Sequence, residues 1–192
     1  MLAKANNEQL KTLWLFYGIY SDPIKGIEEI TKLEPVNKEM ELLLMRAVNI
    51  AEYNIISNPI YNWDETRQFE ESAEYYKNSS LRSWKSVNES NLERLISIID
   101  QRIKSSTFET QPWYSAKAYL QFLRNDLTGA KSTLAASMLK SEANPVAQKQ
   151  NNITTALIFA SEMKAGILKE EEIMAAMLHQ IKKDDTPVKD AS

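Results

Sequence analysis

The stretch LKTLWLFYGIYSDPIKGIEEITKLEP, residues 10–35, decides the fold class. Its first half sets Leu10, Leu13, Trp14 and Tyr17 at i, i+3, i+4 and i+7, the spacing of one face of an α-helix. Ser21-Asp22-Pro23 then ends one helix and opens another. Asp or Ser caps a helix start, and proline suits the first turn, where its missing N–H would have no partner anyway. The second half repeats the period through Ile24, Ile27, Ile30 and Leu33, and Pro35 stands just past its end as a stop. Helices over about 6–20 and 22–33 with so short a turn make an antiparallel hairpin.

The same grammar continues to the end of the chain. A helix over about 37–56 carries Met40, Leu43, Leu44, Ala47, Val48, Ile50 and Ala51, which cover more than one face and predict a central helix packed on two sides. Residues 58–63 read as an aromatic loop, 64–77 as a polar helix and 81–87 as a short one. The next helix, about 90–105, has Leu92, Leu95, Ile96, Ile99 and Ile103 on one stripe. Pro112 opens a helix to about 124, and Leu127, Ala130, Leu134 and Met138 mark the inner face of another over 127–140. Asn144-Pro145 begins a long helix to about 165. The last, 168–183, offers Ile173, Met174, Met177, Leu178 and Ile181. No run alternates with period two, and no Asn-Gly or Asp-Gly hairpin signal occurs. The fold class is all-α: nine or ten helices in stacked antiparallel hairpins, forming a single domain over 1–184 with a flexible polar tail at 185–192.

Particular positions in the hairpins carry a further signal. Leu10, Leu13, Trp14 and Tyr17 have the spacing of W-x2-L-G-x2-Y, with Leu10 in place of Trp and Trp14 in place of Gly. Gly26 and Ile30 stand as A-x3-F would, and Pro35 closes the unit. Ala118, then Ala130 and Leu134, repeat the arrangement, although Gln121 falls where Tyr is expected. The chain thus resembles the tetratricopeptide-repeat superfamily over residues 8–35 and 113–184. The resemblance implies a right-handed α–α superhelix; without it, the same hairpins make an irregular helical bundle. Small residues at such positions let paired helices approach, and large apolar ones fill the space between.

Composition narrows the function. At 192 residues the chain is long enough to bury a core without staples, hiding roughly 70% of its unfolded surface. It has no cysteine, which excludes disulfides, zinc ribbons, iron–sulfur sites and thiol nucleophiles. Its four glycines are scattered and form no phosphate loop. Net charge is -3, without the basic excess of a nucleic-acid-binding domain. The longest apolar stretch, Met40 to Ala51, is interrupted by Glu41, Arg46 and Asn49 and is too short to span a bilayer. The compartment stays open: cytoplasmic if the chain is complete, exported if a signal peptide was removed.

Catalytic chemistry has little to stand on. The single histidine, His179, has Ala175, Ala176, Lys182 and Lys183 as helical neighbours, so no carboxylate sits at a ligand-like spacing. Glu170, Glu171 and Glu172 fall in a first helical turn, where the helix dipole favours negative charge. No catalytic residue, metal site or cofactor is expected. Aromatic residues are more suggestive. Tyr61, Trp63, Arg82 and Trp84 are the candidate binding residues, because aromatic and arginine side chains dominate binding hot spots. A second group, Trp113, Tyr114, Tyr119 and Phe122, fits packing between hairpins. The expected function is a non-catalytic binding or scaffold module that presents a helical groove to a protein or peptide partner. A surface-associated glycan-binding accessory protein and an all-α enzyme without a recognisable motif are the alternatives.

Overall fold

The computed structural model describes residues 6–35, 37–56, 89–105, 110–140, 145–164 and 166–184. Among these residues the chain is all helix, with eight α-helices and no strand. They are α1 (Asn7–Tyr20), α2 (Pro23–Leu33), α3 (Met40–Ile56), α4 (Glu89–Ser105), α5 (Gln111–Leu123), α6 (Leu127–Met138), α7 (Pro145–Glu162) and α8 (Leu168–Asp184). The all-α reading holds, and each described helix lies within a few residues of its predicted span. The helices expected at 64–77 and 81–87 and the tail at 185–192 lie outside the described residues. Packing gathers the chain into two compact units, Met1–Ala116 and Lys117–Ser192, divided within α5.

In the first unit the sequence signals work as physical devices. Asn6 caps α1 through a reciprocal box: its side chain accepts from Gln9 N–H, and its own N–H donates to the Gln9 side chain. Asp22 caps α2 by accepting from Lys25 N–H at 2.9 Å, with Pro23 at the first position. Helix α2 packs on both α1 and α3, and α1 also touches α3. Ile24, Ile27 and Ile30 of α2 are buried with Met40, Leu43, Leu44, Ala47 and Ala51 of α3. Burying each isoleucine contributes about 1.5–3 kcal/mol. Leu92, Leu95 and Ile99 of α4 are buried too, and α4 is tied to α2 by a two-pronged Arg94–Glu28 pair with N–O distances of 2.8 and 2.5 Å.

Helix α1 is rotated from the orientation its apolar stripe suggests, so that part of the stripe turns outward. Leu13 and Tyr17 are exposed, Leu10 and Trp14 are half-buried, and the fully buried positions are Lys11 and Gly18. The cause is close approach. A Cβ on Gly18 would lie 2.8 Å from a Leu43 methyl, and one on Gly26 would lie 3.0 Å from both Gly18 Cα and the Trp14 carbonyl oxygen. The α1–α2 joint therefore needs small residues at 18 and 26, and α1 turns its glycine inward rather than its rings. Helix α3 differs from expectation in a related way. It packs against two helices, yet Leu42, Met45, Asn49 and Tyr53 form an exposed stripe along it.

In the second unit Ala118, Ala130, Leu134 and Ile158 make a buried cluster, with Phe122 packed against it. Asn125 adopts a left-handed φ of 61° at the turn, a conformation asparagine tolerates, and Asp126 caps α6 by accepting from Gly129 N–H at 2.9 Å. Helix α7 packs on both α6 and α8. Inside the α6–α7 joint the buried Ser137 and Asn151 side chains bond each other at 3.0 Å. Ser137 takes the inward place expected for Met138, which is exposed. Glu170 and Glu171 accept from the backbone N–H groups of Lys164 and Gly166, pinning the turn before α8, where Gly166 has φ 84°.

Candidate functional site

The aromatic platform read from sequence, Tyr61, Trp63, Arg82 and Trp84, lies outside the described residues. Of the second aromatic group, Trp113 is buried at 1% exposure beneath the Arg102 guanidinium, 5.6 Å from its ring centroid. Tyr119 and Phe122 stack at 6.2 Å in the other unit. Trp113 is interior packing, and Phe122 packs half-buried against the core of the second unit. Burial holds the Arg102 guanidinium below its ordinary range, offset in part by the field of Glu41.

Sequence reasoning missed the outer faces of α1 and α3. Between Gln9 and Tyr20 the exposed positions of α1 are Gln9, Thr12, Leu13, Phe16, Tyr17 and Tyr20, and none is charged. Phe16 is the most open of these large apolar side chains, at 61%. The rings support one another: Phe16 and Tyr20 sit 4.5 Å apart, and Trp14 meets Tyr17 edge-on at 5.5 Å. On α3 the exposed stripe Leu42, Met45, Asn49 and Tyr53 is also uncharged, with Met45 at 63%. Scattered exposed apolar residues are ordinary, whereas contiguous stripes mark interaction surfaces. Gly18 was the available signal. Gly18 follows Trp14 by four residues and marks the flank of the stripe that a neighbour can approach most closely.

Ion pairs engage Lys11 of α1 and two lysines of α2, while Arg46 and Glu52 stand half-buried on α3 itself. Lys11, only 8% exposed, donates to Glu34 at 2.5 Å and pairs with Glu8 at 2.6 Å. The hydrogen bond from Lys11, with a second from Asn37, holds the Glu34 carboxyl below its usual range, and the two glutamates hold the Lys11 ammonium above its own. On α2, Glu29 lies between Lys25 at 2.6 Å and Lys32 at 2.8 Å, which lower its pKa. Each of these paired groups is committed to a partner on the same or the adjacent segment, as structural ion pairs are.

Other chemistry-bearing residues are dispersed. His179 is exposed on α8. Among the described residues no three His, Cys, Asp or Glu side chains come together as a metal site, and no helix is long and apolar enough to cross a membrane. The outer faces of α1 and α3 are thus apolar and uncharged, and in the second unit Leu139, Val146, Leu168 and Leu178 are exposed as well. Such a surface can hold another apolar surface by excluding water, and its polar groups are the hydroxyls of Thr12, Tyr17, Tyr20 and Tyr53 and the amides of Gln9 and Asn49. No protein-family model, curated protein or solved structure matches the chain.

Proposed function

We propose that this chain is a non-catalytic binding or scaffold module whose partner is a protein or peptide. The observation that carries the reading is the pair of uncharged, exposed apolar stripes, Leu13, Phe16, Tyr17 and Tyr20 on α1 and Leu42, Met45 and Tyr53 on α3. Their helical support favours binding, because little loop ordering is left to oppose it. A tetratricopeptide-like stacking of the hairpins belongs to the same proposal. Its support is the burial of Gly26 and Ile30, and of Ala118, Ala130 and Leu134, at the helix-packing positions of that pattern.

Site-specific photo-crosslinking tests the reading. p-Benzoylphenylalanine would replace Phe16 or Met45, and as a control Ala175, which is exposed on α8. The expected result is a covalent protein adduct from positions 16 and 45 in cells, absent from 175. Adducts from none of the three, or equally from all, would overturn it.

A further inference from the structure

We propose that the outer face of α3 receives an acidic amphipathic helix, a segment of a partner protein that carries a carboxylate beside its own apolar stripe. The inference rests on the binding-module reading and uses α3 alone, because Gly18 of α1 meets Leu43 and the rings of α1 point elsewhere.

Arg46 selects this occupant. It follows Leu42 by four residues and precedes Asn49 by three, so it borders the exposed stripe Leu42, Met45, Asn49 and Tyr53 along one edge. The side chain is half-buried, and its Nε is covered from water with no hydrogen-bond partner. The other buried or half-buried cations among the described residues of the first unit differ. Lys11 and Lys25 hold glutamates, Arg94 holds Glu28 through two bonds, and Arg102 lies over the Trp113 ring. An N–H kept from water without an acceptor is a standing cost, which an arriving carboxylate removes. A carboxylate also matches the guanidinium fork, accepting from two of its N–H groups at once. The long aliphatic stem lets the fork turn outward to the edge of the stripe.

The stripe fixes the rest of the partner. Leu42 to Tyr53 extends about 16 Å, roughly three turns of helix. Its polar groups are the Asn49 amide and the Tyr53 hydroxyl. An extended segment laid along it would turn backbone N–H and C=O groups onto Leu42 and Met45 and leave them unpaired. A helix satisfies its own backbone and meets the stripe with apolar side chains at i, i+3, i+4 and i+7.

Multivalent display of helical peptides, with the positions flanking a leucine stripe varied, tests this on the full chain. The parent is expected to enrich peptides with Asp or Glu at a flanking position, binding at on the order of 10–100 µM as isolated peptides, the strength of a small interface. Arg46→Glu should reverse the choice to Lys or Arg, and Met45→Glu should abolish binding, both with helical circular dichroism. Arg46→Gln carries the test if Arg46→Glu fails to fold: acidic peptides should lose about tenfold in affinity, and their Gln counterparts should not change. No enrichment, no acidic preference, or a preference that the Arg46 variants do not move would overturn the proposal. A parent chain that sediments as a dimer, dissociated by Met45→Glu, would overturn it in favour of a second copy. If the proposal falls, a protein adduct from positions 16 and 45 but not 175 in the crosslinking experiment leaves the binding-module reading standing. Failure of both experiments removes both.

Discussion

At the scale of single residues, Gly26 and Lys11 are tightly constrained positions of the first unit. Alanine at 18 would press on the methyls of Leu43, which can shift, whereas alanine at 26 would also meet backbone at 3.0 Å, which cannot. Overpacking costs about 1–3 kcal/mol, and replacing glycine inside a helix returns up to about 1 kcal/mol. Gly18→Ala is therefore expected to fall within about 1 kcal/mol of the parent, and Gly26→Ala to lose about 2 kcal/mol, read from urea unfolding midpoints. The Lys11–Glu34 pair makes a pH prediction. Glu34 titrates lower in the folded chain than unfolded, so its contribution is present above the unfolded glutamate value of about 4.3 and disappears as pH falls through the folded value. Lys11 titrates higher when folded, so its contribution is full below about 10.4 and disappears as pH rises through the folded value. Glu34→Gln should lower Tm across the range between, and the gap from the parent should close as pH falls below 4.3, to be read by thermal melts at stepped pH.

At the scale of elements, caps and periods were legible and facing directions were not. Asp22, Pro23, Asp126 and Pro145 mark helix starts because their side chains or rings act on the first turn alone, without help from the rest of the fold. Removing the cap by Asp126→Ala should cost about 1 kcal/mol and first loosen the start of α6, visible as faster amide exchange at Gly129, whose N–H loses its acceptor. The face that α1 buries was not legible in the same way. Its period is correct for a helix, but the stripe Leu10, Leu13, Trp14 and Tyr17 turns partly outward. Two contacts from distant segments, Gly18 against Leu43 and Lys11 with Glu34, decide the orientation. Position 137 makes the same point. Ser137 turns inward where Met138 was expected, because Asn151 of the next helix offers it a hydrogen bond. Hydrophobic spacing reports that a helix has an inside, and tertiary partners choose which side that is. The candidate site followed from that choice, so reading α1 inward by its rings hid the surface it presents.

At the scale of the whole molecule, connectivity bears on speed. The packed pairs α1–α2, α2–α3, α6–α7 and α7–α8 each join neighbours along the chain. Each such contact closes a loop of a few residues, so little entropy is lost before packing is gained. Chains built mainly from local contacts refold in microseconds to milliseconds, which stopped-flow refolding from urea would read as loss of signal within the dead time. Among the described residues, the tie from Arg94 to Glu28 spans 66 residues and closes more slowly. The first unit should therefore assemble its α1–α3 hairpins early and seat α4 last, leaving the apolar stripes of α1 and α3 in place before the fold around them is complete.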